Sequence, residues 1–482
     1  MRGRIAPDTE VTILARLSSR GQILTGRVLL PRGRVLYLVR RFCKGTLPST
    51  SRSRMWIPGI LRPSFVLLAF ATAACERSPG TPDVPLKFAS VSVAPGGGAA
   101  CAVTTQGAGY CWGGENTLGN LGTGTTGTTR PPDRLNEPLP YQTTPLRVAG
   151  TVRFQSISPG EIHSCGTGVD GGLYCWGRRS AYGGGSDTKV VPSPALVPDI
   201  RLRDPRDAGL GVCGLSPTGE VLCSAEEVTV SRPAAPGFVA LAPGYALSGF
   251  SRTRRLVRIG SVRDHGYSGW YIHQCGVLSG GVVCWGENWY GELGNGSRGA
   301  YGTPSAAPSY TTPTPVAGGT AFLSVGTGIN HSCALATDHA AWCWGRGAGG
   351  VLGTGDTVDS PVPARVAGGL KLRSVSVGPL HACGIAVDGG GYCWGIDFYG
   401  QLGRGGAAEL GGVGPYSPVP VRVAGDFKWK QISTGGSTSC GVTEQGDVYC
   451  WGSNVLGTLG NGTTVDSNAP SRVVFPVATD RM

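Results

Sequence analysis

The sequence predicts an all-β fold, a seven-bladed β-propeller of four-stranded blades with intra-blade disulfides. Three observations lead there. Fourteen of the 16 cysteines form seven pairs nine or ten residues apart: Cys101/Cys111, Cys165/Cys175, Cys213/Cys223, Cys275/Cys284, Cys333/Cys343, Cys383/Cys393 and Cys440/Cys450. Six of the seven second cysteines run directly into Trp-Gly, and first cysteines recur every 48 to 64 residues, a blade spacing rather than that of helical repeats. Long helical periodicity is missing; each unit reads as short strands and turns, with Gly and Pro recurring in register.

The interior of the cysteine phrase sets its structure. Between Cys101 and Cys111 three facing pairs leave Thr105-Gln106-Gly107 as a hairpin loop whose last residue must be left-handed. Glycine stands there as Gly107, Gly171, Gly219, Gly389 and Gly446, and His339 is the strained exception. The unit Cys275 to Cys284 is one residue shorter and turns on Ser279-Gly280, which keeps its cysteines opposed. Residues directly opposed at a non-hydrogen-bonded antiparallel site are close enough for a disulfide, so each pair can staple its own hairpin. Closing a loop of about eleven residues is worth roughly 2.7 kcal/mol in the chain-entropy model. Zinc ligation is the competing reading, disfavoured because zinc cysteines sit much closer together. Disulfides persist in oxidising compartments, so the chain is expected to work outside the cytoplasm.

The ends carry the address. Residues 1–54 hold twelve Arg or Lys against Asp8 and Glu10, a net of +10, and are read as an extended leader or as upstream translation removed by a start at Met55, the second being favoured. Residues 55–75 have the order of a secretory signal peptide: Arg62, the apolar run Phe65 to Ala71, then Thr72-Ala73-Ala74-Cys75. Ala73-Ala74-Cys75 resembles the lipobox of bacterial lipoproteins, with Thr72 where Leu is usual, and cleavage by an ordinary signal peptidase is the alternative. Cys75 has no partner in the repeat scheme, which favours lipidation there. Residues 76–87 form a tether, 88–477 the propeller and 478–482 a tail. The formal charge of +12 falls to about +1 once residues 1–54 and Arg62 are removed, so the mature chain has no electrostatic footprint for nucleic acid. Membrane contact is expected only through the lipid anchor, since no later stretch is long and apolar enough for a spanning helix.

Each unit contains an alternating strand such as Leu372 to Val377, the cysteine hairpin, a glycine corner and a Pro-x-x-Val strand. The phrases Gly378-Pro-Leu-His381-Ala-Cys383, Tyr392-Cys-Trp-Gly395, Gly400-Gln-Leu-Gly-Arg-Gly405 and Pro420-Val-Arg-Val423 resemble the repeat of the regulator-of-chromosome-condensation family, which implies a seven-bladed β-propeller. The corner recurs at Leu121 to Gly124, Leu293 to Gly296, Leu352 to Gly355 and Leu459 to Gly462, and matching phrases span roughly residues 88–477. Because Pro470-Ser-Arg-Val473 is followed by no blade, the strand near 470–477 is expected to complete the first blade and seal the ring. The second and third units depart from the pattern at Tyr182 to Gly185 and Ser224 to Glu226.

Candidate chemistry is sparse. His163, His273, His331 and His381 each sit two residues before a first cysteine and read as buried, repeated structural residues spread around the ring, not as one metal site. The blade tryptophans read as fillers between blades. No paired carboxylates, nucleophile elbow or phosphate-binding loop appears, so no catalytic residue, metal or cofactor is assigned. What remains is surface: Glu115, Asn116, Trp289, Tyr290, Phe398 and Tyr399 follow Trp-Gly in loops and suit recognition by aromatic anchors. Capping the turn or packing on a neighbouring blade is the equal alternative for these residues. The sequence therefore reads as a non-catalytic binding or scaffold protein of the cell envelope, facing an unknown protein or glycan, with inhibition of a secreted enzyme as a special case. An extracytoplasmic hydrolase or lyase on polysaccharide is the second reading. Guanine-nucleotide exchange, which the family resemblance implies, is the third.

Overall fold

In the computed structural model the cysteine phrases fold into antiparallel hairpins with their two cysteines directly opposed. The structure describes residues 85–114, 116–127, 141–160, 162–178, 189–198, 201, 273–278, 281–299, 313–406 and 415–476 in full, and the backbone alone of 13–16, 24–30, 34–40, 203–207, 211–215, 221–225, 238–241 and 310–312. Six disulfides join Cys101–Cys111, Cys165–Cys175, Cys275–Cys284, Cys333–Cys343, Cys383–Cys393 and Cys440–Cys450 across Cα separations of 4.0–4.1 Å. Cys213 and Cys223 face each other in strand register, with side chains outside the described residues. The left-handed loop position is occupied at Gly107, Gly171, Gly389 and Gly446, and His339 adopts it at φ 68°, the single positive φ among described non-glycine residues. In the shorter unit Leu278 pairs with Gly281, which leaves two residues for the connection.

Residues 83–482 contain seven sheets, six of four strands and one of three among the described residues. Each is a simple meander. In blade 6, for example, Leu372–Val377, His381–Ala386, Gly391–Ile396 and Tyr416–Arg422 pair in that order. Blade 3 shows Arg203–Asp207, Gly211–Leu215 and Val221–Ala225 among the described residues. The N-terminal unit, Met1–Pro82, contains a three-stranded antiparallel sheet of Ile13–Arg16, Leu24–Leu30 and Arg34–Arg40, within the segment read above as a leader. Cys75 lies outside the described residues. No helix among the described residues is long and apolar enough to cross a membrane.

Blades interlock through the two commonest phrases of the sequence. The indoles of four Trp-Gly phrases pack on the corner glycine of the preceding blade: a Cβ at Gly122, Gly294, Gly403 or Gly460 would lie 2.6–2.8 Å from the Nε1 of Trp176, Trp344, Trp451 or Trp112. Those glycines also hold φ of 63–70°, so only glycine meets both demands. The indoles are 0 % exposed and donate from Nε1 to the carbonyls of Asn120, Glu292, Gln401 and Thr458, one residue before the corner leucine. Serine reinforces three of these junctions, as Ser164, Ser332 and Ser439 donate to the carbonyls of Asn120, Glu292 and Gln401. Because each hydroxyl hydrogen is spent on a carbonyl, His273 and His381 donate from Nε2 to Ser332 and Ser439, at 2.8 and 2.9 Å.

The junction of blades 5 and 6 lacks this link. Ala382 pairs with Trp394 where Ser332 pairs with Trp344 and Ser439 with Trp451, and the buried Nε2 of His331 has no protein partner. Replacing Ala382 by serine supplies the missing hydroxyl. A382S is expected to gain about 1 kcal/mol, read as a higher urea midpoint with unchanged slope; an unchanged or lower midpoint would show that His331 does not occupy the equivalent position.

Ring closure differs from the sequence expectation. Ser467–Arg472 is the outer strand of the last blade, with Tyr449 opposite Arg472 and Cys450 opposite Ser471, and it does not complete the first. The first blade has its own outer strand, Leu146–Arg147, paired with Tyr110 and Cys111. The reason is that each Pro-x-x-Val strand pairs backward, onto the Cys-Trp strand of its own unit. Closure instead repeats the ordinary blade junction: Phe88 N–H donates to Gly446 O as Phe154 N–H donates to Gly107 O, and Trp112 donates to Thr458 O. Val91 and Val93 N–H add bonds to Gln431 Oε1 and Ser433 Oγ. Beyond the last strand, Phe475 stacks on Phe88 at 4.0 Å and sets its edge against Trp112, joining both blades in one apolar cluster.

Candidate functional site

A four-stranded meander sends its first and third connections to one face and its second connection, with the link to the next blade, to the other. The corner face therefore gathers the turns at 328–330 and 378–380 with the long connections after each Trp-Gly. The opposite face gathers the cysteine-hairpin turns. There a cation at the start of four blades reaches back to the preceding turn: Arg153 to Gln106 O, Lys371 to Asp338 O, Lys428 to Asp388 O, and Lys87 to the Asp447 carboxylate across the closure. These contacts lock turns.

The outer rim is closed to strand pairing. Val148, Val197, Val316, Val366, Val423 and Val473 donate their N–H inward to the third strand of their own blades. By strand alternation the residue three positions earlier points its nitrogen outward, and it is proline every time: Pro145, Pro194, Pro313, Pro363, Pro420 and Pro470. The Pro-x-x-Val phrase is thus an edge device, anchored by valine and blunted by proline.

On the corner face, the candidate residues divide by role. Glu115 lies outside the described residues. Asn116 is buried and serves the turn, its Oδ1 accepting from Leu121 N–H at 3.0 Å and its Nδ2 donating to Thr125 O. Asn288, Asp397 and Asn454 repeat this arrangement, accepting from the corner N–H groups of Leu293, Leu402 and Leu459 at 2.9–3.0 Å. One residue in each loop thus holds the corner, and in blades 6 and 7 the residue after it is displayed. Phe398 and Tyr399 are 64 % and 47 % exposed, and Val455, in the Phe398 position of the last blade, is 54 % exposed. Leu380 adds another exposed apolar side chain from the adjoining turn, where its carbonyl accepts from Ile396 N–H. Trp289 and Tyr290 are partly buried, and the Arg346 guanidinium lies 5.0 Å from the Tyr290 ring centroid. The Asx staple was legible only as an amide in the loop; nothing local marked it as structural.

The residue two places after each pair's second member supports the loop from beneath. Gln401 Oε1 accepts from Tyr399 N–H at 2.9 Å, and Glu292 Oε2 accepts from Tyr290 N–H at 2.8 Å in the same arrangement. Glu292 is 1 % exposed, and burial pushes its pKa up to about 8, so at neutral pH it is a protonated acid imitating an amide. An acid with a folded pKa above its unfolded one stabilises the fold fully below the unfolded value, and that stabilisation is lost as pH rises from about 4.5 to 8. E292Q is therefore expected to be near neutral at pH 5 and more stable than the parent at pH 9 by about 2–4 kcal/mol. Equal melting temperatures at both pH values would contradict the assignment.

Among the described residues no group of three or more His, Cys, Asp and Glu is arranged to hold a metal. His273 and His381 are pushed down to about 3, and His331 to about 4, chiefly by burial and, for the first two, by the charge of His331. They stand as neutral core residues between blades.

Residues 338–385 and 445–481 match the model described as the regulator of chromosome condensation (RCC1) repeat, and 429–458 match a second model of that repeat. The ultraviolet-B receptor UVR8 of Arabidopsis thaliana is 30 % identical over 151 residues, 31 % of this chain and 34 % of the receptor. The human E3 ubiquitin-protein ligase HERC2 is 31 % identical over 400 residues, 80 % of this chain and 6 % of the ligase. The chain thus spans about a third of the first relative and a small part of the second. The crystal structure of human WBSCR16 superposes with a TM-score of 0.57 at 19 % identity, covering 76 % of this chain and 94 % of that one, which shows the fold alone. Together these matches support an RCC1-repeat β-propeller.

Proposed function

We propose that the protein is a non-catalytic recognition propeller of an oxidising, extracytoplasmic compartment, and that it binds a protein partner on the corner face. The carrying observation is the display of Phe398, Tyr399 and Val455 on loops whose stapling residues are buried beneath them. Fixed loops carrying exposed aromatic rings lose little conformational entropy on binding, and Tyr and Trp dominate interface energies. The rim, blunted by outward proline, is unsuited to strand addition. Six buried disulfides support a working environment that keeps thiols oxidised. Export through residues 55–75 and lipidation at Cys75 belong to the same reading.

Affinity capture from a native envelope extract tests it. The chain carrying F398A and Y399A is expected to lose its specific partner, whereas V387S, on the opposite face where Val387 is 59 % exposed, keeps it. Loss with V387S and retention with the aromatic pair would move the site to the hairpin-turn face. A polysaccharide lyase would instead require carboxylates converging in a pocket, and glycan release by the chain is the outcome that would favour that reading.

A further inference from the structure

The corner face also carries a cation, Arg346, whose surroundings bear on its ligand. Arg346 occupies the position that Ser453 fills in the last blade and Ile396 in blade 6, is exposed, and forms no ion pair among the described residues. Its guanidinium is held over the Tyr290 ring. Arg404, on the neighbouring corner, is by contrast neutralised by Asp397 at 2.9 Å. The loop that starts with Arg346 continues through Gly349, where a Cβ would strike Ile396, two residues before Phe398; the cation and the exposed rings therefore belong to adjoining loops of blades 4, 5 and 6.

The acids nearby restrict the ligand further. Glu287 and Asp359 lie close enough to act on Glu292, and Asp359 accepts from Gly347 N–H, the residue after Arg346. Asp356 and Asp466 are exposed on the equivalent connections of blades 5 and 7. A polyanion such as nucleic acid or a sulfated glycan would meet these acids, whereas a single carboxylate can pair with the Arg346 guanidinium.

Resting on the corner-face reading, we infer that the site takes a polypeptide segment in which one Asp or Glu stands beside apolar side chains, the carboxylate engaging Arg346 and the apolar groups covering Phe398, Tyr399 and Val455.

A phage-displayed random dodecapeptide library selected on the full chain tests this. Enriched peptides are expected to share an acid flanked by apolar residues. Replacing that acid by its amide in the synthetic peptide is expected to weaken binding about tenfold to the parent chain, measured by fluorescence anisotropy, and to change nothing on R346A. Enriched peptides without acids, an acid-to-amide loss that persists on R346A, or no enrichment at all would overturn the inference. The F398A/Y399A chain separates the two levels. If it loses peptides of every charge while the acid-to-amide loss persists on R346A, the face stands and the ligand assignment falls; if it retains them, the face itself is wrong.

Discussion

Replacing Trp451 by alanine is expected to cost about 3–5 kcal/mol, the range for removing a fully buried large aromatic. Three contacts vanish together. The indole is 0 % exposed, donates to Gln401 O at 2.9 Å, and fills the space against Gly403 that no other corner residue could leave open. It also packs against Trp429 at 5.4 Å, so the cavity would open between the blade 6 corner and the blade 7 core. Gln401 O keeps the Ser439 hydroxyl as partner, which limits the polar part of the loss and leaves cavity formation as the main cost. Urea unfolding checks the value, with V455S as a surface control expected within about 0.5 kcal/mol of the parent. A loss below about 1 kcal/mol for W451A would mean that the corners, not the indoles, hold neighbouring blades together.

Acidification should destabilise the protein steeply below pH 6.5. His273, His331 and His381 have folded pKa values of about 3, 4 and 3 against 6.5 unfolded, so the unfolded chain binds more protons throughout that interval. For a base held neutral by burial, stability is complete above the unfolded value and is lost as pH falls toward the folded one. Each such site contributes up to about 1.4 kcal/mol per pH unit. Glu292 acts in the opposite sense between about 4.5 and 8, gaining stability on acidification, and cancels one of the three. The net expectation is a loss of about 2–3 kcal/mol per pH unit between 6 and 5, with greatest stability near pH 6.5. Melting temperatures from pH 8.5 to 4.5 check it. A flat profile to pH 4.5 would place the histidines in contact with solvent.

Much of the architecture was legible because it is local. The three-residue loop ending in glycine, the strained His339 and the two-residue gap between the paired Leu278 and Gly281 all follow from pairing arithmetic inside one hairpin, and the cysteine partners follow from the same register. The closing strand was misassigned because the family repeat does not coincide with a blade: residues 338–385 run from the hairpin of blade 5 into the second strand of blade 6. A repeat frame that straddles two blades makes the last Pro-x-x-Val strand look unattached. The meaning of that phrase required backbone alternation, which shows valine bonding inward and proline facing out. Asn116 stayed open between display and turn capping because nothing in Glu115-Asn116 distinguishes a displayed amide from one folded under the corner. Its repetition as Asn288, Asp397 and Asn454, five residues before a buried corner leucine, is the signal that separates them.

Hydroxyl-radical footprinting of the chain with its captured partner tests corner-face recognition most directly. Protection is expected at Phe398, Tyr399, Val455 and Leu380, with Val387 and Val169 on the opposite face and Val419 on an outer strand unchanged. Protection at Val387 and Val169, with Phe398 and Tyr399 still reactive, would contradict the account.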